Sequence, residues 1–456
     1  MESFDVFVIG GGGTGSEVAF SLARHGGLRV GIAERDRLGG ECNNYGCVPT
    51  KAMLASAKVA ASARGASRYG VRVPSVEVDF PAVIRRAREI IDSQSGEGPK
   101  PFEEQGIRVF LQEARLVGPH QVELADGTRV EAKNIVLATG SEAAVPPVEG
   151  LRDGPFWTNK EAIWSAKEVP SSLAVIGSGP IGLEFAQMYS RFGAEVTVVE
   201  LAERVLPGED EDSSIALCDA LEAEGIRLLC DTTSYHAGHD GTEWHVDFDD
   251  DQHVHAEQLL VAIGRRPVFE VHDLAAAGVE LNDKGWPALD EHLRTTADGI
   301  WAAGDATGEL LFTHVGTYEA ELVVDDVLGR PRTRDYRVIP RVTFTEPEVG
   351  SVGLTEAGAR EEGHDVVTSL VRFEDNERAH LEGHTFGIVK LVADRSTGEL
   401  LGGHVVGEGA GEMIHQVVVA MAGRIPPGVV ADTIHAYPTL SESVRSAFLE
   451  LAGKLG

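Results

Sequence analysis

The segment "GGECNNYGCVPTK" (39–51) holds the residue types best suited to chemistry. Cys42 and Cys47 stand five apart, and Lys51 follows four residues after the second cysteine. Such a pair suits metal ligation, a structural disulfide, or two thiols that bridge and open as they carry electrons. Zinc sites built on C-x₂₋₄-C take a second ligand pair at similar spacing. The remaining cysteines, Cys218 and Cys230, have eleven residues between them and no accompanying histidine pair, so no metal is expected. Both read as buried apolar thiols. Four cysteines in 456 residues form no disulfide framework. A reducing, cytoplasmic setting is expected, where a disulfide is more often catalytic than structural. "PTKAMLASAKVAASA" follows the pair and reads as a helix. Its dipole, with Lys51, should lower a thiol pKa and favour thiolate.

Two glycine clusters offer a second kind of chemistry. Gly10, Gly12 and Gly15 form G-x-G-x-x-G directly after the apolar run "DVFVIG" and open a helical stretch. The first glycine allows a tight turn, the second lets backbone approach a pyrophosphate, and the third lets helix pack on strand. The helix N-terminus then faces the phosphates. Glu34, 24 residues after Gly10, ends the returning strand "LRVGIAE" and can accept hydrogen bonds from an adenosine ribose. Gly177, Gly179 and Gly182 repeat the pattern about 167 residues downstream, with Glu200 ending "AEVTVVE". Two such units imply two dinucleotide sites. A carboxylate at Glu200 suits a 2′-hydroxyl and repels a 2′-phosphate, so NADH is favoured over NADPH. Glycine at 182 points the same way, while Arg204 just beyond keeps NADPH as a secondary donor.

The elements positioning these residues read as repeated βαβ units, then a different pattern. "SSIALCDALEAEG" is helix-like, "GIWAAGDAT" (299–307) is a strand running into a loop, and a helix is expected near 314–329. Composition changes at "GRPRTRDYRVIP" (329–340). Beyond it, "FGIVKLVADRSTGELLGGHVVG" reads as two antiparallel strands around a Ser-Thr-Gly turn, with helices near 410–423 and 440–452. A chain of this length suggests two to four domains. Its formal charge of −32 argues against nucleic acid or an anionic membrane surface. There is no apolar run of ~18 residues to span a membrane. The early entry into "DVFVIG" leaves no basic n-region, so no cleavable leader is expected.

The whole constellation resembles the class I pyridine nucleotide-disulfide oxidoreductases, flavoproteins that include dihydrolipoamide dehydrogenase, glutathione reductase and mercuric reductase. The redox motif is "GGECNNYGCVPTK", and "IVLATGS" (135–141) is similar to the family's FAD-domain strand and loop. "AIGRRP" (262–267), "GIWAAGD" and "VTFTEPEVGSVGLTE" match further family segments in order. The resemblance implies an α/β fold with two Rossmann-like dinucleotide-binding domains, for FAD and NAD(P), plus a C-terminal α+β dimerisation domain. The implied divisions are 1–148 and 268–337 for the split FAD domain, 149–267 for the NAD(P) domain, and 338–456 for the interface domain. It implies a homodimer whose active site is shared between subunits. Cys47 would be the thiolate packed on the flavin, and Cys42 the interchange thiol that meets substrate. Lys51 and Glu184 would pair near flavin N5; read alone, Glu184 is a solvated helix acid. Asp305 would hold the ribityl chain, and "LLFTH", ending at His314, would close over the isoalloxazine. Ala114 would meet the adenine through its backbone. Thr139, Gly140 and Ser141 belong to the FAD loop, and Gly264 to the segment returning from the NAD domain.

One motif departs from the family. The disulfide reductases carry His-Pro-Thr near the C-terminus, with a glutamate three residues after the threonine. Here "HAYPTLSE" (435–442) puts Tyr437 in the histidine's place and keeps Glu442. A tyrosine of pKa ~10 cannot serve as a neutral-pH base as imidazole does at ~6.5. His435 lies two residues earlier, ~6–7 Å away along extended backbone. The first half-reaction, NADH to FAD to the Cys42–Cys47 disulfide, is therefore expected intact, with an acceptor other than an ordinary dithiol, such as a quinone or metal ion. Mercury is disfavoured, because "AFLELAGKLG" lacks the C-terminal cysteine pair of mercuric reductases. Two alternatives stand beside this one. The first is a dihydrolipoamide dehydrogenase-like enzyme in which Tyr437 or His435 serves. The second is an NADH-binding flavoprotein redox sensor. "DDDQHVHAE" (249–257) has the look of a metal cluster, but its histidines alternate on an expected strand beside an acidic turn, so it reads as a solvated hairpin; "ERAHLEGH" (377–384) reads as an exposed loop.

Overall fold

The computed structural model describes residues 1–95, 98–232, 234–248 and 253–456. They form two compact units. The first comprises Met1–Ala52, Ala82–Ala144 and Arg265–Asp335; the second comprises Met53–Pro81, Val145–Gly264 and Tyr336–Gly456. Of the expected segments 149–267 and 338–456, all but residues 265–267 fall in the second unit, and Met53–Pro81, expected with the first segment, falls there too.

Among the described residues, the first unit is built on a seven-stranded sheet. Strand Glu2–Ile9 lies between Val30–Ala33 and Arg129–Leu137, parallel to both. Ile300–Ala302 adds to the far side of Arg129–Leu137, also parallel. Alternate side chains of a strand point to opposite faces. Val6 and Val8 accordingly enter one core with Leu22, Val136 and Val323, while Phe7 and Ile9 enter another with Ile135 and Leu137. A strand buried on both faces needs an unbroken apolar run, which is why "DVFVIG" does not alternate.

The second unit repeats the design. A parallel four-stranded sheet runs in the order Arg227–Leu229, Glu195–Val199, Ser172–Ile176, Gln258–Val261. Beside it lies a three-stranded antiparallel sheet of Ser234–His239, Trp244–Phe248 and His253–Ala256. A five-stranded antiparallel sheet holds Ile388–Asp394 and Leu400–Gly407 as neighbours, covered by helices Ala410–Ala422 and Ser441–Leu455. The 377–384 stretch, expected as a loop, contains the helix Glu377–Glu382. Asn376 caps it by accepting from the Ala379 N–H at 3.1 Å. Asn is a preferred N-cap.

The antiparallel part also carries a buried polar network. Lys390 is 4% exposed and meets Asp210, Asp212 and Glu356 at 2.9, 2.6 and 2.9 Å. His404, fully buried nearby, contacts the Ser351 hydroxyl and the Leu354 carbonyl, both at 3.2 Å. Burial lowers its pKa against the opposing pull of Asp210 and Glu209. The unfolded chain therefore takes up a proton near pH ~6.5 that the folded chain refuses. Stability should be fully present above that pH and fall by up to ~1.4 kcal/mol per pH unit below it. Denaturant titrations across this range should show a shallower acid slope for His404→Gln than for the parent.

Candidate active site

In the first unit, the chain leaves strand Glu2–Ile9 through Gly10 at φ +107° and enters helix Gly13–Gly26 with Gly12 as its N-cap. A Cβ at Gly10 would lie 2.1 Å from the Ala138 carbonyl oxygen, and one at Gly15 would lie 2.0 Å from the Gly10 carbonyl oxygen. Only glycine allows this crossing of turn, helix and neighbouring strand. One Glu34 oxygen accepts from the Gly11 N–H and the other from the Asp36 N–H, both at 2.8 Å. The carboxylate is thus fixed beside the turn. Gly140, at φ +73°, and Gly13 face open space. The adjacent Thr139 hydroxyl is buried without a hydrogen-bond partner.

Cys42 sits in the short helix Gly40–Asn44, and Cys47 begins the helix Cys47–Gly65. Buried Asn44 donates to the Leu38 and Gly40 carbonyls at 3.1 and 2.9 Å, which fixes the first helix. The Cys47 sulfur lies 3.7 Å from the hydroxyl of Thr313, the first residue of helix Thr313–Val327. Two helix N-termini therefore meet at this sulfur, an arrangement that favours negative charge there. The Cys42 thiol is pushed far up, first by its hydrogen bond to Cys47 and then by burial. Lys51 follows one turn after Cys47 in the same helix. His314 stacks on Phe312 at 5.4 Å. Ala114 opens the strand Ala114–Gly118.

The second unit reproduces the turn. Gly177 has φ +103°, and a Cβ at Gly182 would lie 2.0 Å from the Gly177 carbonyl oxygen. Gly179 caps helix Pro180–Phe192 and faces open space. Glu200 accepts from the Ser178 N–H at 2.8 Å, its hydroxyl at 2.6 Å and the Ala202 N–H at 2.9 Å. Glu184 is only 4% exposed and accepts from the Phe344 N–H at 3.1 Å, so it is not a solvated helix acid. Gly264 follows strand Gln258–Val261 at φ +129°. Cys218 and Cys230 are half-buried rather than buried. Burial still pushes both thiols up, Cys230 to about 11.

In the C-terminal motif, Tyr437 is 72% exposed. His435 contacts the Thr433 carbonyl at 2.9 Å and the Gln416 side-chain oxygen at 3.2 Å. Glu442 accepts from the Thr439 N–H at 3.1 Å in the first turn of helix Ser441–Leu455.

Residues 4–320 match the model of the pyridine nucleotide-disulphide oxidoreductases, and residues 339–448 match that family's dimerisation domain. The chain belongs to this family. It is an FAD-dependent enzyme of the family, with NAD(P)H as electron donor. The dihydrolipoyl dehydrogenase of Chlorobaculum tepidum is 38% identical over 99% of this chain and 98% of its own. A mercuric reductase of Bacillus cereus is 33% identical over 98% of this chain and 71% of its own. Among solved structures, the Cu(II) complex of the HOCl-induced flavoprotein disulfide reductase RclA from Escherichia coli superposes with a TM-score of 0.88. It is 29% identical, covering 97% of this chain and 99% of that one. The C-terminal match fits a homodimer. Among the described residues, no helix is long and apolar enough to cross a membrane.

The residues present fit the family's cofactors. The open face at Gly13 and Gly140, the unpartnered Thr139 hydroxyl and fixed Glu34 suit a flavin dinucleotide. Gly179 and Glu200 suit a nicotinamide dinucleotide. Single-sequence reasoning missed Arg265. Its guanidinium donates to the Ser141 hydroxyl and carbonyl at 2.6 and 2.7 Å. It also lies 3.6 Å from Asp305 and 3.5 Å from Glu41, next to Cys42. Ser141 in turn donates to Asp305, so this oxidoreductase ties its redox segment to its Asp305 turn through one cation. "AIGRRP" was the available signal, but its type and position name no partner.

Proposed function

We propose that the enzyme takes hydride from NADH and passes electrons through FAD and the Cys42–Cys47 pair to an acceptor other than an ordinary dithiol, such as a quinone or a redox-active metal ion. The observation that carries this reading is the C-terminal motif. Tyr437 stands exposed where the dithiol enzymes carry a base, Glu442 is engaged by Thr439, and His435 is held by Gln416 and Thr433. In the homodimer this motif would complete the partner subunit's site.

FAD, held at the first glycine turn, would supply the two-electron chemistry that links the nicotinamide to the Cys42–Cys47 disulfide. The glycine turns and helix N-termini would hold the pyrophosphates, and Glu34 and Glu200 would accept from the ribose hydroxyls. Opening the disulfide takes two electrons and one proton: Cys42 would take up the proton, and Cys47, the thiolate that the resemblance assigns, would hold the negative charge. Preference for NADH is supported by Glu200, and by Arg204, whose guanidinium donates to the Leu206 and Pro207 carbonyls at 3.4 and 3.2 Å.

A second reading, dihydrolipoamide oxidation, is favoured by the extent of similarity to the dihydrolipoyl dehydrogenases. NADH oxidation by the flavin-loaded protein, with lipoamide and a simple quinone side by side, separates the two. Fast quinone turnover with negligible lipoamide turnover is expected. Comparable or faster lipoamide turnover would place the enzyme with the dithiol dehydrogenases.

A further inference from the structure

We propose that the antiparallel hairpin of the second unit binds a divalent transition metal of the imidazole-preferring class through His245, His255 and Glu243. The expectation for this stretch was a solvated hairpin, with residues 249–252 lying outside the described ones. What the sequence did not reveal is register. His255 stands directly opposite His245 across the strands Trp244–Phe248 and His253–Ala256. Their rings lie 4.6 Å apart, edge to face at 87°. Glu243 precedes His245 by two residues, and its Oε1 lies 3.8 Å from His245 Nε2 and 3.7 Å from His255 Nδ1. All three ligand atoms fall within 4.8 Å of one another, the one such group among the described residues.

These distances are near those of a metal site. Ligands at ~2.0–2.1 Å around a tetrahedral ion are separated by ~3.4 Å. The observed carboxylate-to-imidazole separations exceed that by a few tenths of an ångström, which partly exposed side chains close by small rotations. Asp240 Oδ2 adds a further acceptor 3.1 Å from His245 Nε2. The Thr242 and Glu243 N–H groups donate to the Asp240 carboxylate at 2.8 and 3.0 Å and fix it beside His245, as a fourth ligand or as the group that orients the ring. The platform is rigid: Trp244, Val246, Val254 and Ala256, on the other face of the same strands, are buried in one core. Two imidazoles and a carboxylate suit zinc, copper or nickel over magnesium or calcium. The net charge of −32 raises the local concentration of any cation.

The test uses untagged, flavin-loaded protein without NADH, oxidised so that Cys42 and Cys47 are bridged and unavailable. Equilibrium dialysis against zinc should give one ion per chain. His245→Ala and His255→Ala should each weaken binding by at least ~10-fold with flavin content unchanged. His253→Ala, which removes a histidine of the same face that pairs with Asp247 at 2.7 Å, should change it by less than about two-fold by the same measure. Copper(II) resonance spectra should report two nitrogen ligands, reduced to one in His255→Ala. Absence of stoichiometric zinc, its retention in the His245/His255 double variant, or an equal loss in His253→Ala would each overturn the proposal.

Discussion

Tyr437→His should raise NADH-dependent lipoamide turnover by ~10²–10⁴-fold, the range that a positioned acid–base group supplies. Quinone turnover should hardly move. The argument rests on what a thiol–disulfide exchange requires that direct electron transfer does not. Each exchange step must move a proton on or off sulfur near neutral pH, where imidazole titrates and phenol stays protonated. The surroundings are already arranged for the replacement. Glu442 is held one helical turn beyond the motif by the Thr439 N–H, which engages one of its two carboxylate oxygens. The same substitution separates the two readings of function. If parent lipoamide turnover is already fast and Tyr437→His leaves it flat, another group moves the proton. His435→Ala would then abolish it if His435 is that group.

A valine at each of the two corresponding glycines should give opposite phenotypes. Gly15→Val should yield protein without flavin and without activity of any kind. Gly182→Val should keep its flavin, while the KM for NADH rises roughly 10- to 100-fold, the equivalent of ~1–3 kcal/mol of overpacking. In both turns the added Cβ would sit 2.0 Å from a backbone carbonyl oxygen, that of Gly10 or Gly177. No side-chain rotation relieves such a contact, so the helix must move off its strand and its N–H groups off the pyrophosphate. Flavin absorbance per chain and the rate of flavin reduction against NADH concentration check both. Flavin loss from Gly182→Val would show that the two turns are not independent cofactor sites.

The parts that chemistry repeats were legible in the sequence. Strand, G-x-G-x-x-G, helix and terminal acid recur at Gly10–Glu34 and Gly177–Glu200, because backbone crossing and phosphate approach tolerate little else. The thiol pair, the family and the exchange of histidine for Tyr437 were equally plain, since each is a matter of residue type at a fixed spacing. Local pattern was less informative where a helix is short. Glu377–Glu382 was missed because six residues show less than two turns of periodicity.

Sequence by itself carried the αβ units, the spacing of Cys42 and Cys47 and the exchange of histidine for Tyr437, each a local pattern of residue types. Only the tertiary structure decided the long-range partners. Thr313 reaches Cys47 across 266 residues, Arg265 reaches Ser141 across 124, and Lys390 reaches Asp210 across 180. It also set His255 opposite His245, a pairing that a register shift of one residue would undo. The physical reason is common to all four. An isolated threonine, arginine, lysine or histidine carries a donor or a charge but no direction, and its partner is chosen by which strands and helices the buried apolar residues bring together.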